Sequence, residues 1–119
     1  FVDYIKYLAQ VAKEEGFRPG SDIPIRMISG HFGQEDRNEI SNLWGGAECF
    51  DWYGVGDTGI ICSEGPDHNG MHIWEDAHYV EILDIDNNTT LKSGEKGNIV
   101  NTVLFKDDML QSVSEMQQF

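Results

Sequence analysis

Along the first sixteen residues, apolar and polar side chains separate at helical spacing. Phe1, Tyr4, Leu8, Val11 and Ala12 recur three or four apart, with Ile5 beside them. Lys6, Gln10, Lys13 and Glu14 fall on the other side. This period predicts an amphipathic helix, stopped by Gly16. Pro19-Gly20-Ser21-Asp22 reads as a turn. Ile25-Arg26-Met27-Ile28 is short, apolar and β-prone, which predicts a buried strand. From Gln34 to Trp44 the chain sets Ile40, Leu43 and Trp44 on one helical face, and Gly45-Gly46 ends that helix. Ala47 to Tyr53 reads as a second strand. A helix between two strands favours parallel pairing, with the helix as crossover.

The pattern changes after Gly54. Glycines at 54, 56, 59, 65 and 70, with Pro66 among them, exclude a long helix there. Met71 to Trp74, Tyr79 to Asp84 and Ile99 to Phe105 read as strands. Asp86-Asn87-Asn88 and Ser93-Gly94-Glu95-Lys96-Gly97 are the turns between them. The tail from Gln111 to Gln118 is polar and predicted to fray. The fold class is therefore α/β, with a βαβ-type first half (1–54) and a mainly antiparallel, β-rich second half (55–119).

Composition narrows the classes of partner. The chain has 119 residues, 39% of them hydrophobic, which suffices for a packed core. No apolar run approaches the ~20 residues of a membrane span, and Phe1-Val2-Asp3-Tyr4 has no basic leader. The absence of an initiating Met reads as a processed or cut chain. The formal charge is −13, from 21 acidic and 8 basic residues. Such a surface repels nucleic acid and anionic lipid. Cys49 and Cys62 are too few for a disulfide framework and read as free thiols of a cytoplasmic protein.

Three chemical signals compete. Gly54-Val55-Gly56-Asp57-Thr58-Gly59 fits the G-x-G-x-x-G pattern after a strand. A dinucleotide site also needs a helix starting near Gly59, because its N-terminus holds the pyrophosphate. Ile60 to Pro66 is too short and too broken for one, so a plain glycine-rich loop competes with this motif. Cys62, His68 and His72 have C-x5-H-x3-H spacing, with Cys49 and His78 as further donors, and zinc needs three or four such groups converging at about 2.0–2.3 Å. Against zinc, Asp67-His68-Asn69-Gly70 has the character of a polar turn in which a histidine is solvated. His31 follows a strand, where a histidine can be catalytic, but no G-x-S-x-G accompanies it. Glu75-Asp76 is either a cation site or a solvated turn.

Several segments, in order, resemble one family. Val11-Ala12-Lys13-Glu14-Glu15-Gly16-Phe17 is similar to a helix ending in an acidic residue and glycine. Asp22-Ile23-Pro24-Ile25-Arg26 resembles a "DLPLR" entry to a strand. Cys49-Phe50-Asp51-Trp52-Tyr53-Gly54 resembles "AFDIYG", and Gly70-Met71-His72-Ile73-Trp74-Glu75-Asp76 resembles "GLHIWED". Val80-Glu81-Ile82-Leu83-Asp84 resembles "PEIID", and Ser93-Gly94-Glu95-Lys96-Gly97-Asn98-Ile99-Val100 resembles "DGEEGELV". These segments are those of phenylacetate-coenzyme A ligases, within the adenylate-forming enzymes. The resemblance covers most of this chain and only the central part of the family's length.

The resemblance implies part of the large N-terminal domain of such an enzyme. It also implies ATP, magnesium, coenzyme A and an aryl carboxylic acid as the whole enzyme's ligands. The acid would first attack ATP to give an acyl-adenylate, and the coenzyme A thiol would then displace AMP. Asp51, Trp52, Tyr53 and Gly54 would line the adenine pocket on one side. Tyr53 would offer a stacking face, Gly54 close backbone approach, and Asp51 an acceptor for the adenine amino group. Ser29, Gly30, His31 and Phe32 would line the other side, where the family reads Gly-Ala-Glu-Pro. After Tyr-Gly the family reads a residue, a hydroxyl residue and Glu. Here Val55, Gly56 and Asp57 stand there, so the hydroxyl is gone and Asp57 keeps the magnesium-directed charge on a shorter arm.

The phosphate loop, the ribose-binding aspartate and the lid lysine have no counterpart in these residues, which predicts an inactive isolated chain. Faces normally covered by the rest of the enzyme predict self-association into a homo-oligomer. The alternative is a non-catalytic binding or scaffolding module of the same fold.

Overall fold

The helical spacing at the start of the chain produces α1, Val2–Glu14, in a computed structural model that describes residues 1–105 and 112–115. Its inward face is Val2, Ile5, Leu8, Ala9 and Ala12. Tyr4, expected on that face, points outward at 61% exposed. The helix turns its small residues to the core, and the large aromatic rings of Tyr4 and Tyr7 stay at the surface.

The first strand, β1, is Met27–Gly30. It lies two residues later than its apolar run predicted, although Arg26 O, just ahead of it, already accepts the Glu48 N–H at 2.9 Å. It is also buried on one face only: Ile28 and Gly30 point in, Met27 and Ser29 out. The second helix, α2, is Gln34–Leu43, closed by Trp44. The second strand, β2, is Glu48–Val55 and runs parallel to β1, with Gly30 opposite Asp51. The helix is the crossover of a βαβ unit, as predicted.

The strand β3 is Gly59–Glu64 and β4 is Met71–Ile73. The strand order is β1-β2-β3-β4. The β3 strand was not read from the sequence, since glycine and proline obscured the β-prone Ile60-Ile61-Cys62. Its presence overturns the dinucleotide alternative: a strand, not a helix, starts at Gly59. The apparent G-x-G-x-x-G is the end of β2 and a tight turn, closed by the Thr58 N–H donating to Val55 O at 3.2 Å.

A second sheet holds β5 (His78–Leu83), β6 (Asn98–Val103) and β7 (Ser112–Glu115), in that order and antiparallel throughout. Ser112–Glu115 is thus paired strand rather than frayed tail. The rest of that predicted tail, residues 111 and 116–118, lies outside the described residues.

The chain divides into two compact units. The first comprises residues 1–53 with 63–71, and the second residues 54–62 with the described residues from 72 to 115. The core of the first unit joins Ala9, Ile28, Phe32, Ile40, Trp44, Ala47 and Cys49. Ile40 is wholly buried, a burial that contributes about 1.5–3 kcal/mol. The Trp44 indole N–H donates to Ile5 O at 3.3 Å and ties α2 to α1. In the second unit, Ile61, Cys62, Ile99 and Val103 are buried. Among the described residues, no helix is long and apolar enough to cross a membrane.

Candidate functional site

Parallel strands joined by a right-handed crossover open a crevice beyond their carboxyl ends, where α/β proteins bind ligands. In the first unit those ends are Ser29-Gly30-His31-Phe32 after β1 and Asp51-Trp52-Tyr53 on β2. The register sets Ser29 opposite Phe50 and Gly30 opposite Asp51. Two segments distant in sequence are thereby brought together.

The side chains there form a shelf. The His31 ring lies 4.3 Å from the Trp52 ring, tilted by 42°. His31 Nδ1 stands 3.7 Å from Asp51 Oδ1. Asp51 Oδ1 accepts the Trp52 backbone N–H at 2.8 Å. Gly30 has no room for a side chain, since a Cβ there would meet the Phe1 ring. Phe1 in turn packs edge-on against Phe32, ring centres 6.0 Å apart. Tyr53 is almost wholly buried, while His31 is exposed and Trp52 partly so. The accessible aromatic surface is therefore the imidazole and the indole. Gly54, the first residue of the second unit, runs against the backbone of Gly59 and Ile60, with the Ile60 Cα 2.8 Å from where a Cβ would stand. The missing side chain there serves strand packing.

Beneath the shelf lies a polar network that sequence reasoning missed. Arg37 on α2 holds Glu64 at the end of β3 in a fork, Nη2 to Oε1 and Nη1 to Oε2, each 2.9 Å. Arg37 Nη1 also donates to Cys49 O at 2.9 Å. The second oxygen of Glu64 accepts the Asp51 backbone N–H at 2.7 Å. His68 sits 3.3 Å from Glu64 through Nδ1 and 3.1 Å from Glu48 through Nε2, with its ring over Phe50. Its backbone takes a left-handed φ of 50°, so the loop after β3 is held in a turn.

Burial pushes the Glu64 carboxyl up, but Arg37, the Asp51 N–H and His68 outweigh it and hold the group below the usual carboxylate range. Burial pushes the Cys49 thiol up, against a smaller pull from Arg37. The one sequence-level signal for this network was an arginine standing alone in an otherwise acidic helix.

Three clefts of about 650, 550 and 430 Å³ also lie in this unit. The second is lined by Arg37, Ser41, Glu48, Glu64 and His68. These three are lined by residues other than Ser29–Phe32 and Asp51–Tyr53.

The zinc donors do not converge. Among the described residues, no three His, Cys, Asp or Glu side chains come together to hold a metal. Cys49 and Cys62 are buried and form no disulfide, and His68 is engaged by two carboxylates. Spacing alone could not reveal this, because Cys62 and His72 belong to one unit and His68 to the other. Asp57 is exposed in the turn before β3. A single exposed carboxylate fits magnesium only where phosphates complete the shell.

No protein-family model and no curated protein matches the sequence. Solved structures do match the fold. 2-Hydroxyisobutyryl-CoA ligase in complex with 2-HIB-AMP and CoA is 22% identical with a TM-score of 0.73, over 86% of this chain and 24% of that one. Apo MatB from Rhodopseudomonas palustris is 15% identical with a TM-score of 0.60, over 85% and 21% of the two chains. A long-chain-fatty-acid-CoA ligase from Archaeoglobus fulgidus is 12% identical with a TM-score of 0.59, over 83% and 22%. The shared fold is that of a segment of an acyl-CoA ligase. The chain spans about a quarter of the length of these structures.

Proposed function

We propose that this chain is the adenine- and acyl-pocket segment of an AMP-forming ligase that joins an aryl carboxylic acid to coenzyme A. The observation that carries the reading is the shelf beyond the ends of β1 and β2, where the His31 and Trp52 rings meet at a tilt beside the Asp51 carboxylate. A purine can lie on such aromatic faces, a contact worth about 1–3 kcal/mol. Asp51 engages the Trp52 N–H with Oδ1, and its other oxygen suits the amino hydrogens of adenine. Ser29 and Gly30 give the base a flank with little bulk. Support also comes from the matching 2-hydroxyisobutyryl-CoA ligase structures, which hold an acyl-AMP and CoA.

In this reading Asp57 contributes one carboxylate toward a phosphate-bound magnesium ion, which would offset developing charge. The chain by itself is expected to bind nucleotide without turning it over, because no residue here corresponds to the phosphate loop or the lid lysine. Exposed aromatic side chains such as Tyr4, Tyr7, Trp74 and Tyr79 favour self-association, which light scattering at rising concentration tests. A concentration-independent monomer would remove that part of the reading.

The test is calorimetric titration with AMP, then with ATP and magnesium, in the wild-type chain and in Trp52→Ala. Loss of the indole should weaken AMP binding about tenfold or more, the size of one stacking contact. Equal affinity in both chains would remove the shelf from the binding site. Coenzyme A-dependent AMP release from ATP by the pure chain would overturn the expectation of inactivity. A non-catalytic module of the same fold is the second reading, favoured by Gly56, which puts no hydroxyl where the family carries one.

A further inference from the structure

The Asp51 N–H does not depend on a neighbouring strand. It donates at 2.7 Å to a side-chain oxygen, Glu64 Oε2, thirteen residues away. A strand residue whose N–H is taken by a side chain has its height set by that side chain. Glu64 is itself fixed, because both its oxygens are gripped by the planar Arg37 guanidinium at 2.9 Å. Such a bidentate pair defines direction as well as distance. Arg37 is anchored in turn by α2 and by the Cys49 carbonyl. His68 closes the far side of Glu64. The pair is mostly shielded from solvent, at 18% and 12% side-chain exposure, so its geometry is not blurred by hydration. The Asp51 carboxylate then has one position, with Oδ1 on the Trp52 N–H and 3.7 Å from His31.

We propose that Glu64, fixed by Arg37, is the positioning residue of the shelf and sets the place of Asp51 beneath the ligand. Glu64 touches no ligand. It acts through Asp51, by occupying the one hydrogen-bonding group of that residue's backbone N–H. The consequence for nucleotide binding rests on the adenine reading of the shelf, whereas the positioning of Asp51 does not.

Nuclear magnetic resonance on the full chain separates the two. The Asp51 amide nitrogen should show a through-hydrogen-bond coupling to the Glu64 side-chain carboxyl carbon. Its amide proton should titrate with the same midpoint as that carboxyl. An Asp51 amide that shows no coupling and ignores the Glu64 titration overturns the proposal, with or without variants. The binding arm compares Glu64→Gln, which keeps an acceptor oxygen, with Glu64→Ala, which does not. AMP affinity should stay within about threefold in Glu64→Gln and fall about tenfold in Glu64→Ala, the effect of one hydrogen bond. Equal affinity in a folded Glu64→Ala also overturns the proposal. If the wild-type chain binds no AMP, the adenine reading fails alone, and the coupling and shared midpoint still decide whether Glu64 positions Asp51.

Discussion

In the first unit the part-buried Arg37 and Glu64, with the more exposed His68, turn their engaged atoms toward one another or the backbone. In the second unit Thr58, His78 and Asn101 are buried more deeply, at 1–3% exposure. Yet Thr58 Oγ1, His78 Nδ1 and both amide atoms of Asn101 have no hydrogen-bond partner among the described residues. Asn101 lies on the central strand of its sheet, between Val80 on β5 and Val113 on β7. The contrast teaches where polarity stabilises and where it only costs. A paired buried charge loses much when one partner goes, because the other is left stranded. A buried amide with nothing to bond already bears its desolvation cost. The first unit therefore uses polar groups to fix a geometry, and the second holds buried ones that have no hydrogen-bond partner among the described residues.

The sharpest break of this comparison begins with packing. Trp44→Ala empties the centre of the first unit's core, where the ring is 4% exposed, and should cost about 3–5 kcal/mol in urea unfolding. Next comes Glu64→Ala. It strands Arg37 and should cost about 3 kcal/mol. Arg37→Met together with Glu64→Leu should recover most of that loss, since a buried ion pair replaced by apolar groups is often neutral.

The pH dependence has a definite sign. The Glu64 carboxyl is held below its ordinary value in the fold, so the stability it contributes is complete above about pH 4.3, the unfolded value. It is lost as pH falls through the lower folded value. Acid unfolding followed by circular dichroism should therefore start at higher pH in wild type than in the double apolar variant.

A smaller effect, of opposite sign, is expected in the second unit. Asn101→Val should raise stability by about 1 kcal/mol, because it removes a buried amide with no partner among the described residues. A loss there instead would mean that the amide has a partner in solution, and the contrast between the units would narrow. The smallest effect belongs to the turn before β1. The Asp22 carboxyl accepts both the Arg18 side chain and its backbone N–H, which lowers it to about 2. Carboxyl-carbon shifts should show Asp22 titrating near that value in wild type, and closer to about 3.9 in Arg18→Ala. Both groups are solvent-exposed, so global stability should hardly move.

Much of the fold was legible because period and punctuation agreed. Ile40, Leu43 and Trp44 marked α2, the helix between two β-prone runs marked parallel pairing, and the turns at 86–88 and 93–97 separated strands that do form. The inward face of α1 was misread because size was taken for burial: Ala9 and Ala12 face the core, and Tyr4 does not. The β3 strand was hidden by Gly59, Gly65 and Pro66, residues that weigh against regular structure one by one but here only bound a hairpin. The candidate site was legible as two segments. What was not legible was Arg37 with Glu64, because an ion pair across 27 residues leaves no periodic trace. The zinc spacing failed for the converse reason: a short sequence interval does not make side chains converge.

The measurement that bears most directly on the shelf is an amide chemical-shift map of the wild-type chain titrated with AMP. Saturable shifts confined to Ser29–Phe32, Asp51–Tyr53 and the Glu64 region are the predicted result. Shifts that saturate elsewhere, or a chain that shows none at millimolar AMP, would contradict the assignment of the shelf as an adenine site.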